Sequence, residues 1–391
     1  MSDDILLWRA GALGDSLLLL PALAALRAAH PTQRIVVAGT PAALAPALWP
    51  SLADEIVDAT SARLAPLVSG QPCVSGALPA GIGTAVIWSA RHVEIARGLA
   101  LTGIARLIGA PILPAPLTHM VDHYLRILAP LGVAPVAFKL TVPAVAMVTS
   151  RQVWGDARYR ASRSRRDLPA MTSWSEGRSM DEVSGDQQDP VVILHPGAGS
   201  RAKRWPLAGY LDLARLLRAE GIAILWTLGP ADEDMRSGLD AAGEGDCVLP
   251  ALNLAILAAV LTRASVVVSA DCGVAHLTAL LGVRGVALFG PTNHHVWAPP
   301  GTRTTTTVLA LDLPCAPCGD VMHRCPSRLC MRALPVRAVY HAVRASLGQP
   351  EGLDSLPVPA PPASSRPAAV IVQVPWRRVP LAPASSMPHG E

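Results

Sequence analysis

The sequence predicts two doubly wound α/β domains in tandem, and three observations carry the prediction. Short apolar runs alternate with helical stretches through residues 1–148 and again through 191–347. That alternation, with brief connections, is what a parallel sheet covered by helices requires. A glycine-containing loop follows the first strand of each half, at 9–15 and 195–204. A polar stretch at 149–190 separates the halves and reads as a solvated linker or insertion, strongly basic from Arg158 to Arg166.

In the first half, residues 5–8 form an apolar strand and 17–29 a helix that His30-Pro31 stops. A strand at 34–38 and the turn Gly39-Thr40-Pro41 follow. Strands are also expected at 55–57 and 85–88, and a helix at 119–131. In the second half, 191–194 is a strand, and Pro206 takes the first position of a helix that Gly221 ends. Strands at 222–228, 265–269 and 286–289 alternate with helices at 252–261 and 273–281, and a last helix covers 335–347. Residues 348–391, rich in Pro, Ala and Ser, read as a disordered tail; 370–374 has strand composition but is not counted as a strand.

Composition narrows the function classes. Of 391 residues, 51% are hydrophobic and 16% charged, with a mean hydropathy of +0.35, which excludes a polar disordered chain. A net charge of +4 does not by itself imply nucleic-acid binding, and no nucleic-acid partner is expected. Spanning a membrane takes ~20 consecutive apolar helical residues. The uncharged stretch 64–90 is broken by Pro66, Pro72 and Pro79, and other apolar runs by Arg27, Arg106 or Arg284. The start Met1-Ser2-Asp3-Asp4 lacks the basic region of a signal peptide. A cytoplasmic location is expected, with the seven cysteines reduced or metal-bound.

Ligands of such sheets bind beyond the carboxyl ends of the strands, so the cleft between the domains is the expected site. Neither glycine loop is a dinucleotide fingerprint, and no phosphate-binding P-loop occurs. The first loop reads Arg9-Ala-Gly11-Ala-Leu-Gly14-Asp15, and the second His195-Pro-Gly-Ala-Gly199-Ser200-Arg-Ala-Lys203-Arg-Trp205. A third motif, Asp271-Cys272-Gly273-Val-Ala-His276, precedes Phe289-Gly290-Pro291-Thr292.

Together, in this order, these motifs resemble glycosyltransferase family 9, the ADP-heptose:lipopolysaccharide heptosyltransferases, over residues 4–347 apart from the polar insertion. The resemblance implies a GT-B fold, with the acceptor on the first domain and the nucleotide-sugar on the second. It implies inverting, metal-independent transfer of heptose to an inner-core lipopolysaccharide acceptor. Asp15 falls where the family has its general base, in an acceptor-side loop with Arg9, Gly11 and Gly14. Lys203 falls on the phosphate-binding lysine. Gly199, Ser200, Asp271, Cys272, Gly273, His276 and Thr292 complete the expected donor side. Cys272 departs from the usual Ser or Thr, and a thiol is a poor donor.

The chemistry is consistent with that placement. A carboxylate at the cleft can take the acceptor proton. A lysine and the free amides of a helix start at Gly273 can stabilise a leaving diphosphate. Asp232 and Glu233 could accept from ribose hydroxyls, although acids there are also ordinary first-turn residues of a helix. Other readings stay open: Asp15 as an N-cap, His195 and His276 as loop-ordering groups, Trp205 as packing. The spacing Cys315-x2-Cys318-x6-Cys325-x4-Cys330, with His323 inside it, allows either a structural zinc or reduced thiols. A monomer is expected, peripheral on the inner face of the cytoplasmic membrane and held there by its lipid-linked saccharide acceptor. The alternatives are a related transferase with another nucleotide-sugar or acceptor, and a non-catalytic sugar-nucleotide-binding protein.

Overall fold

A computed structural model describes residues 3–41, 51–115, 117–163, 189–300, 305–348 and 370–375. It contains two parallel sheets. The first has the order β3-β2-β1-β4-β5, from β1 (Asp4–Trp8), β2 (Ile35–Gly39), β3 (Glu55–Asp58), β4 (Ile82–Trp88) and β5 (Arg106–Ala110). The second has the order β11-β10-β9-β8-β6-β7, from β6 (Val191–His195), β7 (Ala223–Trp226), β8 (Val266–Ala270), β9 (Gly285–Phe289), β10 (Thr306–Asp312) and β11 (Val370–Pro375). The central strands β1, β6 and β8 are buried on both faces, which explains why they read as unbroken apolar runs. Strand order reverses between β1 and β4 and between β6 and β8. A crevice opens at such switch points, and the residues after β1, β6 and β8 carry the three motifs.

One face of the first sheet is covered by α2 (His92–Ala100) and the other by α1 (Leu13–Ala29) and α3 (Met120–Leu128). Leu17, Leu20, Leu23 and Tyr124 on that second face belong to an apolar cluster continuous with the core of the second sheet. The link runs through α1, which packs on α8 (Gly273–Leu280), and through the Leu140 amide, which donates to the Leu280 carbonyl at 2.8 Å. Around the second sheet lie α5 (Leu207–Ala219), α6 (Glu233–Ala241), α7 (Leu254–Leu261) and α11 (Val336–Ser346), with short helices α9 (His294–Trp297) and α10 (Leu329–Arg332). Asn253 caps α7 by accepting from the Ile256 amide at 2.9 Å.

Four features differ from the sequence reading. The linker begins as a helix, α4 (Ala144–Arg163), that packs on α7 and β7 and buries Trp154 and Ala157 in the second domain's core. The rest of the expected insertion, 164–188, lies outside the described residues. Within the expected tail, residues 370–375 form β11, paired in parallel register with β10 from Thr307↔Val370 to Asp312↔Pro375. The strands β5 and β10 were not expected; β5 is a half-exposed edge strand holding Arg106 and Gly109, so its apolar signal is weak. Pro206 precedes α5 as its N-cap rather than opening it, a shift of one residue. Among the described residues no helix is long and apolar enough to cross a membrane.

Candidate active site

β1 ends by delivering Arg9 into the interior, where its side chain is only 2% exposed. Its Nε donates to the Tyr124 hydroxyl at 2.8 Å, one Nη donates to the Ala10 carbonyl, and the other meets Asp15 Oδ1 at 2.7 Å. Helix α1 starts at Leu13, earlier than expected, so Asp15 is its third residue and Ala12 its N-cap. The second oxygen, Oδ2, accepts from the Ala12 amide at 2.9 Å. Asp15 therefore braces the helix start from inside the first turn, where the helix dipole favours a carboxylate. It keeps 23% exposure, and two partners leave part of its acceptor capacity open. Burial pushes the Tyr124 hydroxyl up to about 12, so it stays protonated beside Arg9.

The second domain supplies a cluster at the ends of β6, β8 and β9. Asp271, just beyond β8, is 4% exposed, and its Oδ2 accepts from Lys203 Nζ at 2.8 Å and from Thr292 Oγ1 at 2.7 Å. Lys203 closes a 3-10 turn (Arg201–Lys203) whose N-cap Ser200 accepts from the Ala202 amide at 3.3 Å. His276 Nε2 stands 3.8 Å from Asp271 Oδ1, and His276 Nδ1 is buried without a hydrogen-bond partner. Burial lowers His276 to about 4, outweighing the pull of Asp271, so the ring is neutral at physiological pH. The structure thus brings together Lys203, Asp271, Thr292 and His276. Gly199, in the loop just before Ser200, is exposed, with open space where a Cβ would stand.

The two halves meet at this place. A Cβ on Gly14 would lie 3.0 Å from His276 Cδ2, and a Cβ on Gly273 would strike Leu13 at 2.6 Å. Only glycines let the N-terminus of α1 approach that of α8 so closely. His119 reinforces the junction, with Nε2 2.8 Å from the Ala298 carbonyl.

Asp232 was expected to face a ribose and instead turns inward. It is buried, with Oδ1 accepting from Arg204 at 2.8 Å and Oδ2 from the Gly229 amide at 2.9 Å. A Cβ on Gly197 would overlap this carboxylate, so the glycine loop folds directly over it. Glu233, exposed at the start of α6, is the carboxylate of this pair that faces outward. His195 Nδ1 lies 2.9 Å from the Thr227 carbonyl, as a loop-ordering histidine would. Burial opposes its protonation, yet the adjacent Cys272 thiol and Asp232 raise its pKa overall. Cys272 is the N-cap of α8 and makes no side-chain cap bond. Trp205 is packing: its indole donates to the Leu334 carbonyl at 3.1 Å and meets Tyr210 edge-on.

Two features escaped the sequence reading. One is the buried Arg9–Tyr124 contact, whose only sequence signal is an arginine closing an apolar strand. The other is the Arg204 clamp, which also reaches both oxygens of Asp234, at 2.9 and 2.8 Å. The four cysteines do not assemble as a zinc tetrad would. Among the described residues no group of three or more His, Cys, Asp or Glu side chains is placed to hold a metal. Cys325 Sγ accepts from the Arg328 amide at 3.3 Å, Cys315 is exposed, and burial with the nearby thiols pushes Cys330 up to about 11.

The sequence profile of glycosyltransferase family 9 (heptosyltransferase) matches residues 111–326, more than half of the chain. The chain belongs to glycosyltransferase family 9. Among curated family relatives, it is similar to lipopolysaccharide heptosyltransferase 1 of Pseudomonas aeruginosa, 38% identical over 137 residues, or 35% of this chain and 38% of that protein. The match therefore spans well under half of that relative's length. Among solved structures, E. coli ADP-heptose LPS heptosyltransferase II superposes with a TM-score of 0.60 at 17% identity, over 89% of this chain and 100% of that one. The family 9 protein of Veillonella parvula superposes with a TM-score of 0.63 at 17% identity, over 89% and 99%. These likenesses establish the two-domain GT-B fold of this family 9 chain.

Proposed function

We propose that this chain transfers heptose from ADP-heptose to the inner core of a lipopolysaccharide acceptor, with inversion at the anomeric carbon. The observation that carries the reading is the meeting of the α1 and α8 N-termini. It sets a carboxylate from one domain, Asp15, opposite a Lys203–Asp271–Thr292 cluster from the other. The names of two of its relatives, an ADP-heptose LPS heptosyltransferase and a lipopolysaccharide heptosyltransferase, support the donor and acceptor classes.

In the proposed reaction an acceptor hydroxyl attacks the anomeric carbon from the first-domain side, and Asp15 takes its proton as the new bond forms. The bond to the diphosphate breaks, and its electron pair leaves with ADP. Lys203 and the free amides at the start of α8, which includes Gly273, stabilise the developing negative charge. Those groups provide positive charge without a divalent ion, so the reading is metal-independent. Ser200, Gly199 and Cys272 flank the diphosphate, Thr292 orients Asp271, and His276 offers its unpartnered nitrogen to the sugar or phosphate. Arg9 fixes the base, with Gly11 and Gly14 giving the loop its close approach. Asp232 serves by shaping the Gly197 loop. The enzyme works as a monomer on the cytoplasmic side of the membrane that carries its acceptor.

A thermal-shift panel of ADP-heptose against GDP-, UDP- and dTDP-sugars, followed by a product assay with chelator present, tests this. Stabilisation by the ADP-sugar and chelator-resistant turnover are expected. A response to another nucleotide-sugar would move the chain to a different donor, and silence toward all of them would favour a non-catalytic protein.

A further inference from the structure

We infer that Tyr124 is a positioning residue for the proposed reaction: by accepting from Arg9 Nε it keeps one oxygen of Asp15 free to take the acceptor proton. The inference rests on the reading of Asp15 as the base, and adds to it a wholly buried side chain 115 residues beyond Arg9.

An arginine beside a carboxylate commonly grips both oxygens through two parallel N–H groups. Arg9 does not. Its Nε donates to the Tyr124 hydroxyl at 2.8 Å and one Nη to the Ala10 carbonyl. Only the other Nη meets Asp15, at Oδ1, 2.7 Å away. Asp15 Oδ2 accepts from the Ala12 amide at 2.9 Å and keeps a further lone pair. A carboxylate held at both oxygens by a guanidinium is a poor proton acceptor, because those bonds favour its charged form. The division of Arg9 among three partners therefore decides whether Asp15 can serve as a base.

Tyr124 is suited to maintain that division. Burial, with the Asp15 charge adding to it, pushes the hydroxyl up to about 12 against the pull of Arg9. Tyr124 is thus a neutral acceptor, and the charge of Arg9 stays committed to Asp15. The ring meets Trp88 edge-on, with centroids 5.1 Å apart. Helix α3, which carries it, is tied down by two histidines. His119 Nε2 lies 2.8 Å from the Ala298 carbonyl, and His123 Nε2 2.9 Å from the Pro111 carbonyl.

The glycine loop fits the ion pair just as closely. A Cβ on Gly11 would lie 2.6 Å from Arg9 Nη1 and 2.7 Å from Asp15 Oδ2, so the loop backbone confines both groups. Without the Tyr124 hydroxyl, the Arg9 Nε–H would be a buried donor lacking a partner, which is costly. Rotation of the guanidinium onto both Asp15 oxygens is the expected repair, and it ties up the base.

Tyr124→Phe in the full-length protein tests this, since it deletes one oxygen and keeps the ring. Turnover, read as ADP release with ADP-heptose and acceptor, should fall about ten- to thirtyfold, less than the ~10²–10⁴ of a lost base. ADP affinity and the acceptor KM should stay within about twofold of wild type, because the group acts on the chemical step. In an Asp15→Asn background the same substitution should change turnover by less than about twofold. Trp88→Phe, which loosens the same packing without touching Arg9, should lower the melting temperature and leave turnover unchanged. The melting shifts of Tyr124→Phe and Asp15→Asn should be non-additive, a readout that needs no substrate. Additive shifts, wild-type turnover by Tyr124→Phe, or an equal loss from Trp88→Phe or in the Asp15→Asn background would overturn the inference and leave the base assignment standing. Wild-type turnover by Asp15→Asn alone would overturn the base assignment, and this inference with it.

Discussion

Substituting Asp15 by Asn tests two roles at once, because the carboxylate is the proposed base and also neutralises Arg9. The arginine is 2% exposed, and Asp15 supplies the ion pair, at 2.7 Å. Removing one partner of a buried pair costs about 3–5 kcal/mol. Asp15 retains some water contact, and Tyr124 and Ala10 still accept from Arg9, so about 2–3 kcal/mol is expected here. At roughly 2–4 °C per kcal/mol for a domain of this size, the melting temperature should fall by about 4–12 °C. Adding Arg9→Gln removes the orphaned charge and keeps a donor for Tyr124, so the double variant should recover most of the lost stability. Turnover should not recover, because a missing general base costs ~10²–10⁴ in rate whatever the stability. Melting curves beside an ADP-release assay on the three proteins make the separation. If the double variant regains both stability and turnover, Asp15 is only the counter-ion of Arg9, and the base lies elsewhere.

Lys203→Ala should weaken ADP binding by about ten- to a hundredfold in calorimetric titration, since a charge-assisted contact is worth roughly 1.5–3 kcal/mol. An unchanged affinity would mean that Lys203 serves only Asp271. Cys272→Ser places a hydroxyl at the N-cap of α8, where no side-chain cap bond exists, and should add about 1 kcal/mol of stability in urea unfolding and tighten ADP binding. Burial lowers both His276 and His294 to about 4, so these two rings bind fewer protons in the folded protein than in the unfolded chain between about pH 4 and 6.5. Their contribution to stability is then complete above pH 6.5 and lost as pH falls toward 4, by up to about 3 kcal/mol for each ring, and His276→Asn should flatten that slope. Ending the chain at Gly348 removes β11 and should lower the melting temperature by several degrees; an unchanged melt would show that the sheet does not need this strand.

What was legible in the sequence was whatever repeats along it. Buried parallel strands such as β6 and β8 are continuous apolar runs, and Gly221 and Gly282 mark where α5 and α8 stop, so the tandem α/β plan could be read directly. The motif loops fell at strand ends because a doubly wound sheet puts them there. Less visible were relations between distant residues. Nothing near Arg9 announces Tyr124, which lies 115 residues away. Nothing at Asp232 shows that Arg204 will turn it inward, since an acid opening a helix looks alike whether it faces a ribose or a guanidinium. Helix α4 was lost because a basic, weakly amphipathic segment resembles a linker until α7 and β7 supply the surface that buries Trp154. The edge strand β11 sits in proline-rich surroundings and gains its place only from the exposed backbone of β10.

That late strand has a consequence for biosynthesis. Strands β6 to β10 are complete once Asp312 has left the ribosome, but β10 then presents an unpaired edge until residue 375 follows. An unprotected parallel edge of the sequence Thr-Thr-Val-Leu-Ala-Leu is a template for pairing with another nascent chain. Vectorial synthesis therefore leaves an interval in which the second domain is nearly folded yet open to misassembly, and β11 closes it last.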